Sequence, residues 1–178
     1  MNNYSINVSP DLQLKLLTKN DALEFFTCVK KNKNFLLKWM HIPREIKSVH
    51  DSIQKINQYN ENFKTESIEF GIFKNNTFIG QIGAHTLYDQ TAEIRYWLDE
   101  DHTGKGIIVE CIKNFIEYCF SETNTFRIVA KIDTENIKSK NAIEKAGFHY
   151  EGTERAGVFF KGEPRNLLIY SYLVSDKN

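Results

Sequence analysis

Cysteine and proline are both scarce, three of each in 178 residues. Cys28, Cys111 and Cys119 are odd in number, and the last two fall on the apolar face of a predicted helix. That excludes a disulfide framework and points to a reducing, cytoplasmic setting. An excess of either charge is also missing: 23 basic residues balance 23 acidic ones. Without a basic excess, charge makes no case for nucleic-acid wrapping or for binding an anionic membrane. No apolar run approaches the ~20 residues needed to cross a bilayer. Met1-Asn2-Asn3-Tyr4-Ser5 lacks the basic-then-apolar pattern of a secretory leader. Metal-ligand spacing is absent too, since His41, His50, His102 and His149 stand apart. There is no repeat, no low-complexity segment and no linker.

What remains is ordinary for a soluble globular protein, with 41% apolar and 26% charged residues. The length suits one domain over residues 1–178 with a real core. Alternation of Leu12, Leu14 and Leu16 predicts a strand over 11–17. Thr18 reads as the N-cap of a helix to about Lys31, with Ala22, Phe25, Phe26 and Val29 inward. An apolar patch at 35–40 follows, ended by Pro43. A second helix runs from about Ile46 to Phe63, with Val49, Ile53, Ile56 and Tyr59 inward. Residues 68–73 and 78–83 flank Lys74-Asn75-Asn76-Thr77, a hairpin signal. A strand over Ala92–Leu98 leads into a glycine loop and a helix with Ile108, Ile112, Phe115, Ile116 and Cys119 inward. Phe126, Ile128, Ala130 and Ile132 share one face of a further strand. A short helix over Ile137–Ala146 stops at Gly147, and residues 148–160 and 166–174 form a closing antiparallel pair. The expected class is α/β (α+β), a mixed, mostly antiparallel sheet of about seven strands flanked by helices.

The informative stretch is Ile94-Arg95-Tyr96-Trp97-Leu98-Asp99-Glu100-Asp101-His102-Thr103-Gly104-Lys105-Gly106-Ile107-Ile108. A strand runs into a polar loop that opens a helix. Bare N–H groups at a positive helix end bind phosphate, so a coenzyme pyrophosphate is the first ligand to consider. The glycines alone also fit a plain strand-to-helix turn. The spacing is neither that of a Walker P-loop nor G-x-G-x-x-G.

Three further segments join it: Ala92-Glu93-Ile94-Arg95-Tyr96-Trp97-Leu98-Asp99, then Asn136-Ile137-Lys138-Ser139, then Lys145-Ala146-Gly147-Phe148. Together they resemble the GNAT superfamily of acetyl-CoA-dependent N-acetyltransferases. The pattern is most similar to the branch that acetylates ribosomal-protein N-terminal serine or alanine. The resemblance spans nearly the whole chain, from Leu12 to Leu173.

The resemblance implies that acetyl-CoA, the cosubstrate, lies between the strands 92–98 and 126–132, which splay apart in this family; no metal is implied. Backbone of Tyr96, Trp97 and Leu98 would pair with the pantetheine arm. N–H groups of His102, Thr103, Gly104, Lys105, Gly106 and Ile107 would cradle the pyrophosphate. Glycines at 104 and 106 keep a β-carbon out of the way. The oxyanion donor would be an N–H at or next to Trp97. Glu93 corresponds to a general base and also reads as an ion-paired strand carboxylate. Ser139 corresponds to a general acid and also reads as a helix-start residue. Asn136 corresponds to a pantetheine contact and also reads as an N-cap. Lys140 is a weaker candidate for the outer phosphates.

Three positions depart from the family pattern. Asp101 stands where Gln or Arg is common, so its side chain is not expected to touch phosphate. Ile143 removes a Tyr acid, and Val158 removes a Glu base found in some relatives. The acid–base work then falls to Glu93, directly or through water, or the amine is deprotonated before it binds. His85, at a strand end, could titrate near neutrality. Phe35, Trp39, Phe159 and Phe160 are candidates for the core or for an acceptor cleft. The acceptor is a protein N-terminal amine or a small amine; the alternative of another class is an acyl-CoA-binding regulatory module without turnover. A homodimer is compatible with the resemblance.

Overall fold

A computed structural model describes residues 4–88 and 90–177 of the chain; Met1–Asn3 of the leader reading lie outside them. The chain opens with β1 (Ser5–Ser9), paired antiparallel with β2 (Leu12–Lys15). The sequence reading has no β1. Only Ile6 and Val8 alternate there, which is too short a pattern to stand out at a sheet edge. Asp21 accepts from the N–H and the hydroxyl of Thr18, both at 2.7 Å, and so starts a short turn that leads into α1 (Ala22–Lys31). The apolar patch at 35–40 starts in a single turn, α2 (Lys33–Leu36), and a second single turn, α3 (Ile42–Glu45), follows it. Ser48 then caps α4 (Val49–Glu61) by accepting from the Asp51 N–H, which sets its start three residues past the expected Ile46.

β3 (Ser67–Lys74) and β4 (Thr77–Tyr88) form the expected hairpin. Asn75 and Asn76 take positive φ of 48° and 62° at its turn, a conformation asparagine tolerates and tight hairpins require. β5 (Thr91–Leu98), α5 (Ile107–Glu122), β6 (Arg127–Asp133) and α6 (Ile137–Lys145) follow. Gly147, at φ 98°, ends the last helix. Phe126 falls before β6 and is exposed rather than part of its inner face. β7 (His149–Phe160) and β8 (Glu163–Leu173) close the chain across Lys161-Gly162, so the last strand starts three residues before the expected 166.

The eight strands form one sheet in the order β1-β2-β3-β4-β5-β6-β8-β7. The expected mixed, mostly antiparallel sheet is therefore right in kind and one strand short. Helices cover both faces. One face packs Phe70, Ile82, Ile112, Phe115, Ile128 and Ile143; the other packs Leu17, Phe25, Ile56, Phe73, Phe78 and Trp97. Side chains buried this way contribute about 1.5–3 kcal/mol each. All three cysteines are free and buried, and desolvation pushes each thiol up to about 12, which leaves them inert as nucleophiles.

Among the described strands β5 and β6 are the one parallel pair, and they part early. They pair at Thr91↔Arg127, Ala92↔Ile128 and Glu93↔Val129 and no further. Beyond that, β5 stays paired with β4 as far as Leu98, and β6 with β8 as far as Asp133. The sheet thus opens in a V whose vertex lies at Glu93.

Candidate active site

Each arm of the V has a backbone edge without a strand partner, β5 beyond Glu93 and β6 beyond Val129. The N–H of Asp99 donates to the Ile79 carbonyl on β4. Backbone direction alternates along a strand, so Trp97 and Arg95 also turn toward β4. The N–H and C=O groups of Ile94, Tyr96 and Leu98 then face the opening. Of the positions expected for an oxyanion donor, the N–H groups next to Trp97 face the opening and its own N–H does not.

At the open end of the V, β5 runs into the loop 99–106. Gly104 and Gly106 have φ of 76° and 79°, with nothing within 4 Å of where a β-carbon would sit. Only glycine adopts that backbone without strain. The cradle expected over 102–107 is shorter at its start. The N–H groups of His102 and Thr103 donate to the carbonyls of Asp99 and Glu100. Among the described residues, those of Gly104, Lys105 and Gly106 carry no such bond, and Ile107 opens α5. The bare donors and the helix N-terminus together suit a pyrophosphate.

The loop is braced from α1, which the sequence did not show. Lys31 Nζ lies 2.8 Å from Asp99 and 2.7 Å from Asp101, and Asn32 Oδ1 accepts from the Glu100 N–H. Burial pushes the Asp99 carboxyl up, but hydrogen bonds from Lys31, Asn32 and His102 outweigh it and leave the group lowered. Lys105 donates to the Asp101 carbonyl at 2.7 Å, so its charge is held over the loop. Asp101 faces Lys31.

A cleft of about 650 Å³ passes through the V and reaches both faces of the sheet. On the face of α6 it is lined by Tyr96, Asn136 and Ser139; on the face of α4 by Tyr59, Glu69, Gln81, Glu93 and Trp97. Five of the sequence candidates, Glu93, Tyr96, Trp97, Asn136 and Ser139, thus meet in one cavity. Leu98 and the loop lie beyond its end. Lys140 is not part of the lining and sits 3.8 Å from Glu144 on α6.

Ser139 has a partner that the sequence reading missed. Its Oγ lies 2.7 Å from the Tyr96 Oη, and its N–H donates to Asn136 Oδ1 at 3.2 Å. Asn136 is therefore the N-cap of α6 while also facing the cleft. Burial raises the Tyr96 phenol far above the ordinary range, so it stays protonated and acts as a hydrogen-bond donor. Alternation did place Tyr96 opposite Trp97, but only the packing of α6 sets it against Ser139.

Glu93 stands at the vertex, partly buried, with Oε1 3.9 Å from Arg95 Nε. Arg95 also reaches His85 Nε2 at 3.1 Å. Arginine only donates, so His85 accepts there and its other nitrogen carries the proton. Burial and the Arg95 charge push the His85 pKa down, which keeps it neutral at pH 7. His85 is absent from the cleft lining. Ile143 is fully buried in the core, whereas Val158 lines the cleft and offers no proton acceptor. Of the aromatic candidates, Trp39 and Phe160 line the cleft, Phe35 packs against the α1–α4 core, and Phe159 is exposed.

A splayed parallel pair, a glycine loop at a helix N-terminus and a through-sheet cleft are now in place. Residues 11–149 match the family model for the acetyltransferase (GNAT) domain. The chain belongs to the GNAT acetyltransferase family. A probable N-acetyltransferase, YjcK of Bacillus subtilis, is 32% identical over 85% of this chain and 87% of its own length. The ribosomal-protein-serine acetyltransferase of Escherichia coli is 28% identical over 97% and 98%. The crystal structure of the microcin C7 self-immunity acetyltransferase MccE, in complex with acetyl-CoA and AMP, superposes with a TM-score of 0.89 at 25% identity, covering 95% and 96%. As a GNAT acetyltransferase the chain takes acetyl-CoA as its acyl donor, and the bare loop N–H groups and the open β5 edge fit that molecule's pyrophosphate and pantetheine. Among the described residues no group of side chains suits a metal ion, and no helix is long and apolar enough to cross a membrane.

Proposed function

We propose that this acetyltransferase, a cytoplasmic enzyme whose single domain spans residues 1–178, acetylates the α-amine at the N-terminus of a protein. The observation that carries the reading is the cleft through the sheet. The acyl donor lies along the β5 edge, and an amine approaches from the α3–α4 face. Relatives named for ribosomal-protein acetylation at high mutual coverage support the acceptor class.

In the reaction, the amine nitrogen bonds to the acetyl carbon, the carbon–sulfur bond breaks, and the amine loses a proton. Glu93 takes that proton through a water, as general base. The Tyr96 or Leu98 N–H steadies the developing negative oxygen. Ser139, hydrogen-bonded to the Tyr96 phenol, gives a proton to the departing thiolate.

The test is release of free coenzyme A thiol with peptides carrying N-terminal Ser or Ala, with spermidine and with free amino acids. Peptides should exceed the small amines by about tenfold or more in kcat/KM, a difference of about 1.4 kcal/mol. A small amine preferred by that margin overturns the acceptor class. Thiol release with none of them favours an acyl-CoA-binding regulatory module.

One observation favours the small-amine reading. His41, before α3, packs its ring 4.8 Å from that of Phe160 at the end of β7, and both line the cleft. That contact narrows the acceptor side.

A further inference from the structure

Glu69 sits mid-strand on β3, between Ile68 and Phe70, where alternation alone makes it a residue of the sheet's outer face. In the fold that face is covered by α4, and Glu69 becomes part of the cleft wall. Its carboxylate lies over β4, in room that Gly83 leaves: a β-carbon at position 83 would fall 2.0 Å from Oε2. One hydrogen bond holds it, from the neutral amide of Gln81 at 3.0 Å. The amide oxygen of Gln81 accepts from the Trp97 indole at 3.3 Å, so this amide is itself fixed in orientation.

Among the described residues, Glu69 has no ion-pair partner. The cations lining the cleft are engaged elsewhere: Lys55 with Glu45 at 3.0 Å, Lys131 with Glu154 at 3.1 Å, Arg95 with Glu93 and His85. A largely enclosed carboxylate with only a neutral partner is unfavourable unless a cation joins it. Burial pushes its pKa up to about 7, against the pull of Arg95, Gln81 and Lys55.

The register places the group relative to the chemistry. Glu69 pairs with Gly83, and Gly83 with Arg95, so β3 is two strands from β5, about 10 Å. Glu69 is therefore set back from the β5 edge where the amine reacts. Glu93, at the vertex, is nearer to it.

We propose that Glu69 is a specificity site for a second positive charge on the acceptor, an ammonium or guanidinium group distinct from the amine that is acetylated. The group enters from the α4 face, pairs with the Glu69 carboxylate, and holds the reacting amine toward the β5 edge. This rests on the acetyl-transfer reading above and names the acceptor chemistry of the same cleft. Two sources present this chemistry: a polyamine, and a protein N-terminus followed by Lys or Arg.

The experiment has a binding arm and a turnover arm, each with the wild-type chain, Glu69→Gln and Glu69→Asp. Binding of spermidine to the coenzyme A complex is measured by calorimetry. Turnover compares Ser-Lys and Ser-norleucine peptides, and spermidine with a monoamine of equal length. The wild type should bind spermidine about tenfold or more tightly than Glu69→Gln, with Glu69→Asp in between. The preference for the dication or the Lys peptide should fall to near unity in Glu69→Gln, chiefly through KM; the acceptor that shows it identifies the source. Equal binding in wild type and Glu69→Gln, or no binding in either, overturns the proposal. Turnover without charge preference overturns the proposal and leaves the acetyl-transfer reading intact. Charge-dependent binding without turnover retains the site and overturns the transfer reading. Melting temperatures of all three proteins identify any loss that is only a loss of fold.

Discussion

The two ends of the cleft are built from different materials. The end proposed for the coenzyme offers backbone: the unpaired edge of β5 and the N–H groups from Gly104 onward, set by two glycines and a helix start. The acceptor end uses side chains: Glu69 and Gln81 from separate strands, Glu93 and Trp97 from β5, Tyr59 from α4. Backbone recognition needs a local conformation and is written in a short stretch of chain. Side-chain recognition needs distant segments to meet. Substitutions should therefore act on coenzyme binding at one end and on acceptor chemistry at the other.

The largest effect is expected at Gly106. Wild-type protein at a coenzyme A concentration about 100 times its dissociation constant should gain about 2.7 kcal/mol of stability. Gly106→Glu adds strain at φ 79° and a negative charge beside the pyrophosphate. It should weaken coenzyme A binding by well over about 10²-fold and abolish the ligand-induced melting shift. A preserved shift would remove the loop from the coenzyme end.

Next comes Glu93→Gln, which keeps the shape and removes the carboxylate. Turnover should fall roughly 10²-fold with coenzyme affinity nearly unchanged. The loss should shrink as pH rises, because the acceptor amine is then already neutral. Parallel pH–rate profiles of the two proteins would make Glu93 a structural strand residue and leave positioning as the source of rate.

Ser139→Ala should cost about tenfold in turnover. Tyr96→Phe removes the other half of the 2.7 Å hydroxyl pair, and the double variant should lose little more than either single one. Additive losses would show that the two hydroxyls act separately.

The smallest effect concerns stability. The folded-state pKa of Glu69, about 7, lies above its usual value. The folded state therefore holds that proton more tightly, and charging the group costs stability as pH rises from about 4.5 through 7. Glu69→Gln should be more stable than wild type at pH 8 by on the order of 1 kcal/mol, the side chain being partly open to solvent, and by less at pH 5. Urea unfolding at the two pH values checks the sign, and an equal difference at both would assign the change to packing.

The same contrast governs what could be read beforehand. The hairpin at Asn75-Asn76, the strand into Gly104 and Gly106, and the N-cap of α6 at Asn136 are each local, and each lies where its residues indicate. The strand β1 was missed because two alternating apolar residues at an edge do not rise above background. Glu69 was missed because in a strand pattern it looks like any solvent-facing carboxylate. Only the packing of α4 encloses it, and only Gly83 gives it room. Tyr96 entered the reading through its backbone alone. Its phenol meets Ser139 because α6 returns over the sheet 43 residues later.

The sequence by itself determined every strand but β1, the longer helices, the glycine loop and the family, since turn conformations, helix caps and periodic burial depend on neighbours within a few residues. The tertiary structure alone decided where β5 and β6 part, which N–H groups remain bare in the loop, and which charges in the cleft have partners. Those depend on the register between strands far apart in the chain and on which cations are already engaged, as Lys55 and Arg95 are by Glu45 and Glu93, leaving Glu69 with only an amide.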